Sequence, residues 1–95
     1  MKERALHHLG TVASLGGDYV KAIRLWRESL QLADEQHNDR HKLRLLLNVA
    51  WAEGQLEKLD DSQRTYSSAL DLAERLGDTE AVFHIRNAAR PDDST

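Results

Sequence analysis

Apolar residues recur along this chain at the i, i+3, i+4 spacing of helices, in five stretches parted by short polar or glycine-rich breaks. The first stripe is Ala5, Leu6, Leu9, Val12 and Ala13, predicting a helix from about Lys2 to Leu15. Gly10 lies within it, at a cost of about 1 kcal/mol relative to alanine, a cost that makes sense if another helix approaches closely there. The second helix, about Asp18 to Gln36, carries Tyr19, Ala22, Ile23, Trp26, Leu30 and Ala33 on one face. Lys21, Arg24, Arg27, Glu28 and Gln31 lie on the other, so Tyr19 and Trp26 read as core. The third, about Arg40 to Glu53, has almost no polar face between Leu43 and Ala52, which predicts burial on several sides or a partner-binding surface. The fourth, about Glu57 to Leu76, has the stripe Leu59, Tyr66, Ala69, Leu70 and Ala73, with Asp60 and Asp61 in its first turn. The fifth runs from about Thr79 to Ala89, where Pro91 forbids continuation.

The breaks carry turn chemistry. Gly16-Gly17 ends the first helix and Asp18 can cap the second. In His37–Arg40, Asn38 suits a left-handed C-terminal cap and Asp39 an N-cap. Gly54-Gln55 closes the third helix; Gly77 suits a left-handed position before a capping Asp78. Residues 1–90 thus read as one all-α domain of five antiparallel helices, two hairpins plus a capping helix. Residues 91–95, Pro-Asp-Asp-Ser-Thr, read as a disordered polar tail.

Leu9, Gly10, Gly17, Tyr19, Ala22, Trp26 and Leu30 together resemble the tetratricopeptide repeat. Trp26 to Tyr66 and Leu30 to Leu70 are each 40 residues apart, and Asn48 to Asn87 is 39, against the usual period of about 34. The long period, with Leu72, Ala73, Gly77 and Asp78 at a junction, looks like the variant arrays of bacterial regulators. Departures are visible. Asn48 and Asn87 are expected to replace the repeat glycine, and Leu56–Leu59 stands where Gly-Asp-Tyr would be. Leu47 to Leu70 spans 23 residues against 21 from Leu9 to Leu30, which predicts two extra residues near Gln55–Lys58.

The resemblance implies a ligand-facing groove lined by the first helix of each unit. By pattern position its residues are Arg4, His7, His8, Thr11, Leu45, Val49, Glu53, His84 and Ala88. Thr11, Val49 and Ala88 fall where chaperone adaptors carry a carboxylate-clamping asparagine, so that clamp is expected to be absent. A more apolar peptide, or a copy of the chain itself, is the expected occupant. The small number of units, Val82, Phe83 and Ile85 on the fifth helix, and a chain that begins with Met and closes on a polar tail predict self-association as a homodimer.

The remaining chemistry mostly excludes. Thirteen Lys and Arg against 16 Asp and Glu leave a net charge of −3, with no surplus for a phosphate backbone, so direct nucleic-acid binding is not expected. No cysteine, glycine-rich phosphate loop, HExxH or nucleophile elbow is present, so neither an enzyme nor a cofactor is expected. His37 and His41 have the i, i+4 spacing of two metal ligands, but the predicted break lies between them and no metal site is expected. His7 and His84, placed as equivalents, could make a groove pH-sensitive. The N-terminus lacks an apolar signal run and no stretch reaches membrane-span length. A cytoplasmic module binding a protein or peptide partner is the resulting expectation, with a sensory module of a bacterial transcription or signalling system as the alternative.

Overall fold

The computed structural model describes residues 2–88, with side chains from Ala5 onward. Five helices follow in order: α1 (Lys2–Leu15), α2 (Tyr19–Glu35), α3 (Asp39–Gln55), α4 (Leu59–Leu76) and α5 (Thr79–Ala88). Each packs on its neighbour in sequence, so the fold is an all-α stack of hairpins. The expected tail at Pro91–Thr95 and the helix end at Ala89 lie outside the described residues.

The four turns are copies of one another at 20-residue spacing. Residues 17, 37, 57 and 77 all take left-handed backbone, with φ of 85° at Gly17, 56° at His37, 61° at Glu57 and 69° at Gly77. The following N–H reaches back to the carbonyl five residues earlier: Asp18 to Ala13, Asn38 to Ala33, Lys58 to Glu53 and Asp78 to Ala73, at 2.9–3.0 Å. This is the Schellman closure, which satisfies carbonyls the helix end would leave bare. The same residue then opens the next helix. Asp18, Asn38 and Asp78 accept from the N–H three residues on, at 3.1, 3.3 and 3.0 Å. Lys58 has no side-chain acceptor and makes no such cap.

This frame corrects three expectations. His37, not Asn38, takes the left-handed position, and Asn38, not Asp39, is the cap. There is no insertion near Gln55–Lys58, because the junctions at Asp18 and Lys58 are 40 residues apart, as are those at Asn38 and Asp78. The counterpart of Gly10 is therefore Ala50, not Asn48, and His7 matches Leu47 and Asn87 rather than His84.

At Gly10 α1 and α2 approach closely. A Cβ there would overlap the Trp26 indole, with Cδ1 only 2.5 Å away. Trp26 is buried and its Nε1 donates to the His7 carbonyl at 3.1 Å. Forty residues on, Ala50 faces a Tyr66 where α1 and α2 have Gly10 and Trp26, and both are buried in one core. The α3 helix is buried on two sides. Leu45, Val49 and Ala52 share a core with Ala22, Trp26 and Ala33 of α2. Leu43 and Ala50 share another with Tyr66, Ala69, Leu72, Ala73 and Ile85.

Candidate functional site

An open cleft of about 490 Å³ lies between α1 and the start of α3, lined by His7, His8, Thr11, Asn38, Arg40, His41 and Arg44. Two of these are guanidinium groups, three are imidazoles, and no carboxylate is among the described lining residues. Arg40 and Arg44 are one helical turn apart on α3 and both exposed. The local charge is therefore opposite in sign to the chain's net −3.

His7 is the most constrained of the group. Its carbonyl accepts from Trp26 Nε1 at 3.1 Å and from Thr11 Oγ1 at 3.0 Å, which anchors this turn of α1 to α2. Its ring Nε2 lies 3.1 Å from Asn48 Nδ2. With the amide donating, Nε2 accepts and Nδ1 carries the proton of a neutral imidazole. The His41 ring sits 5.1 Å away, centroid to centroid, inclined at 46°. Burial, then the positive fields of His41, Arg44 and His8, hold the His7 imidazolium below the ordinary histidine range. His41 Nε2 is buried with no hydrogen-bond partner among the described residues.

Of the groove residues expected from sequence, His7, His8 and Thr11 line this cleft. Leu45, Val49 and Glu53 do not. Leu45 and Val49 are core residues shared with α2, and Glu53 is 2% exposed, bound to Arg27 Nη2 at 2.8 Å and Thr65 Oγ1 at 2.6 Å. Their misplacement follows from the supposed insertion, since a two-residue slip turns a helix by about 200° and exchanges its faces. With Val49 buried, the comparison of Thr11, Val49 and Ala88 as one clamp position lapses. Ala88 and His84 are exposed on α5 and outside the cleft lining, while the Arg4 side chain lies outside the described residues. Asn38, Arg40, His41 and Arg44 are not reached by the expected pattern positions, although the 40-residue frame makes Arg44 the counterpart of Arg4.

The expected self-association residues divide likewise. Phe83 is 71% exposed and Val82 half-buried, but Ile85 is core at 1% and offers no surface. Among the described residues no three His, Cys, Asp or Glu groups converge as metal ligands. No described helix is long and apolar enough to cross a membrane.

The family model of the tetratricopeptide repeat matches residues 2–75, which is α1 to α4 nearly entire. The chain belongs to the tetratricopeptide repeat family. No curated protein matches it at a significant level. Tetratricopeptide repeats are scaffolds that generally mediate protein–protein interactions and carry no catalytic machinery of their own. In this tetratricopeptide chain the first helices of the two units, α1 and α3, form the cleft, and the second helices, α2 and α4, supply most of the core behind it.

Proposed function

We propose that this chain is a non-catalytic docking module that receives an acidic segment of a protein partner in the α1–α3 cleft. The observation that carries the reading is the charge of the lining: Arg40 and Arg44 exposed beside His7, His8 and His41, with no carboxylate among the described lining residues. A cleft of this kind selects a carboxylate-bearing peptide over the apolar one expected from sequence. Nucleic acid is disfavoured by the overall charge of −3, which repels an extended polyanion beyond the cleft. The cytoplasmic setting expected from sequence belongs to this reading. The test is fluorescence anisotropy with an N-acetylated, glutamate-rich peptide at low ionic strength. Binding is expected, with a loss of about tenfold or more in Arg40→Glu/Arg44→Glu; equal binding by the variant overturns the reading.

A second reading, self-association, is favoured by the raw ends of the stack. Leu43 is 5% exposed because α4 covers it, whereas its counterpart Phe83 is 71% exposed. At the other end Leu9 and Val12 are each 52% exposed, against 2% and 0% for their counterparts Val49 and Ala52. Light scattering over a dilution series tests it: a dimer is expected to dissociate in Phe83→Ser, and a monomer at every concentration counts against it. The sensory alternative would place a small anionic effector in the same cleft, whose volume is of small-molecule size. A shift in melting temperature with such an effector would favour it.

A further inference from the structure

We infer that the acidic segment enters the α1–α3 cleft together with a proton, so that the same partner is held more tightly as the solution becomes more acidic. This rests on the acidic-partner reading above and adds a regulation to it.

The geometry supplies the coupling. The groups facing His7 are His8 from its own helix and His41 and Arg44 from α3, with Arg40 also in the lining. From α2, among the described residues, the Trp26 indole reaches its backbone carbonyl, and that group does not titrate. Every ionisable neighbour named here is a cation or becomes one on protonation. No carboxylate among the described lining residues compensates a charge on the His7–His41 pair, whose rings are 5.1 Å apart. A carboxylate seated between Arg40, Arg44 and these rings supplies that compensation. Because coupling is reciprocal, an anion that favours the protonated ring must itself be favoured by the proton.

Two further observations point the same way. Asn48 Nδ2 faces His7 Nε2, a contact suited to the neutral ring; once Nε2 carries a proton, the amide must turn to present its oxygen. His41 Nε2 is buried without a partner, so this ring gains a hydrogen bond by turning toward an incoming carboxylate. The His41 ring is thus poised to gain a bond in the occupied cleft, and the His7 ring can keep its bond to Asn48 when the amide turns.

The test uses the whole chain and the glutamate-rich peptide, whose side chains stay ionised from pH 6 upward. Between pH 7.5 and pH 6.0 the affinity is expected to rise by about fivefold or more, the scale of a typical coupling between sites. NMR titration of the imidazoles supplies the decisive second readout. The His7 midpoint is expected to rise on saturation with peptide. In His7→Gln the ratio of the affinity at pH 6.0 to that at pH 7.5 is expected to fall toward one, whatever the variant's affinity at pH 7.5. If that variant does not fold, the titration of the unmodified chain decides. Equal affinity at both pH values, or a His7 midpoint that peptide leaves unmoved, overturns the proton coupling while the acidic-partner reading stands. No binding at any pH overturns both.

Discussion

The guanidinium of Arg27 on α2 lies 2.8 Å from the carboxylate of Glu53 on α3, and the second oxygen of that carboxylate accepts from Thr65 on α4. One buried acid thereby ties three consecutive helices together. Glu53 supplies the carbonyl that accepts the closing N–H of its turn, where the other three turns have Ala13, Ala33 and Ala73. A charge here is not needed to build the turn. Its partner Arg27 keeps 60% of its side chain in solvent, while the Glu53 side chain keeps 3%.

That asymmetry predicts an order of mutational effects. Arg27→Ala leaves a buried carboxylate with Thr65 as its remaining partner and is expected to cost about 1–3 kcal/mol. Glu53→Ala removes the buried charge, restores the residue found at the other turns, and frees an exposed arginine at little cost; a change within about 1 kcal/mol is expected. Urea unfolding of the two variants and their double mutant checks this. If Glu53→Ala proves the more damaging, the pair contributes net stability and the argument fails.

Gly10→Ala places a methyl group against the Trp26 indole and is expected to destabilise by about 1–3 kcal/mol, the usual cost of overpacking. The second unit shows the remedy, since it pairs Ala50 with Tyr66. Adding Trp26→Tyr to Gly10→Ala should recover part of the loss, and thermal melts of the three variants measure it. No recovery would mean that the two units pack differently at this crossing.

The turn after α3 carries two weaknesses, the first shared with the turn at His37. Glu57 holds left-handed backbone that costs a side-chain-bearing residue about 1 kcal/mol or more, and Lys58 cannot cap α4. Glu57→Gly and Lys58→Asp are each expected to stabilise by about 1 kcal/mol, read as a higher urea midpoint at unchanged slope. The gains should be close to additive only if the carboxylate introduced by Lys58→Asp caps α4 without drawing Arg64 away from Asp61, its present partner.

The His7 shift has a sign for stability without any ligand. Its imidazole is held below the unfolded value of 6.5, so between the folded and unfolded values the unfolded chain binds more protons. The contribution is full above 6.5 and is lost as pH falls through 6.5 toward the folded value. The melting temperature is expected to drop from pH 7.5 to pH 5, and to drop less in His7→Gln. Parallel curves for the two proteins would assign the acid sensitivity elsewhere.

The helices and two of the turns are legible in the sequence because their signals are local. Gly17 and Gly77 announce left-handed backbone, and the stripes around Trp26 and Tyr66 announce the buried faces. His37 and Glu57 adopt the same backbone with no such signal, held there by the helices on either side. An unrecognised turn at Glu57 is what suggests an insertion, and that slip puts Leu45 and Val49 in the groove and hides Arg44, the counterpart of Arg4. His7, His8 and Thr11 escape the error because the first unit is the reference. The asymmetry of Glu53, buried where three alanines would be unremarkable, depends on Arg27 and Thr65 arriving from other helices and has no local trace.

Because the four junctions recur every 20 residues with the same backbone bonds, a segment such as 18–57 begins and ends at equivalent points. Duplicated in tandem, it would meet its own copy in phase, with the role of Lys58 taken by a second Asp18. The inserted first helix would then bury its apolar face as α3 does, and a second cleft would open beside the first. The molecule can therefore grow by whole units without redesign of any joint, each addition extending the docking surface by one helix.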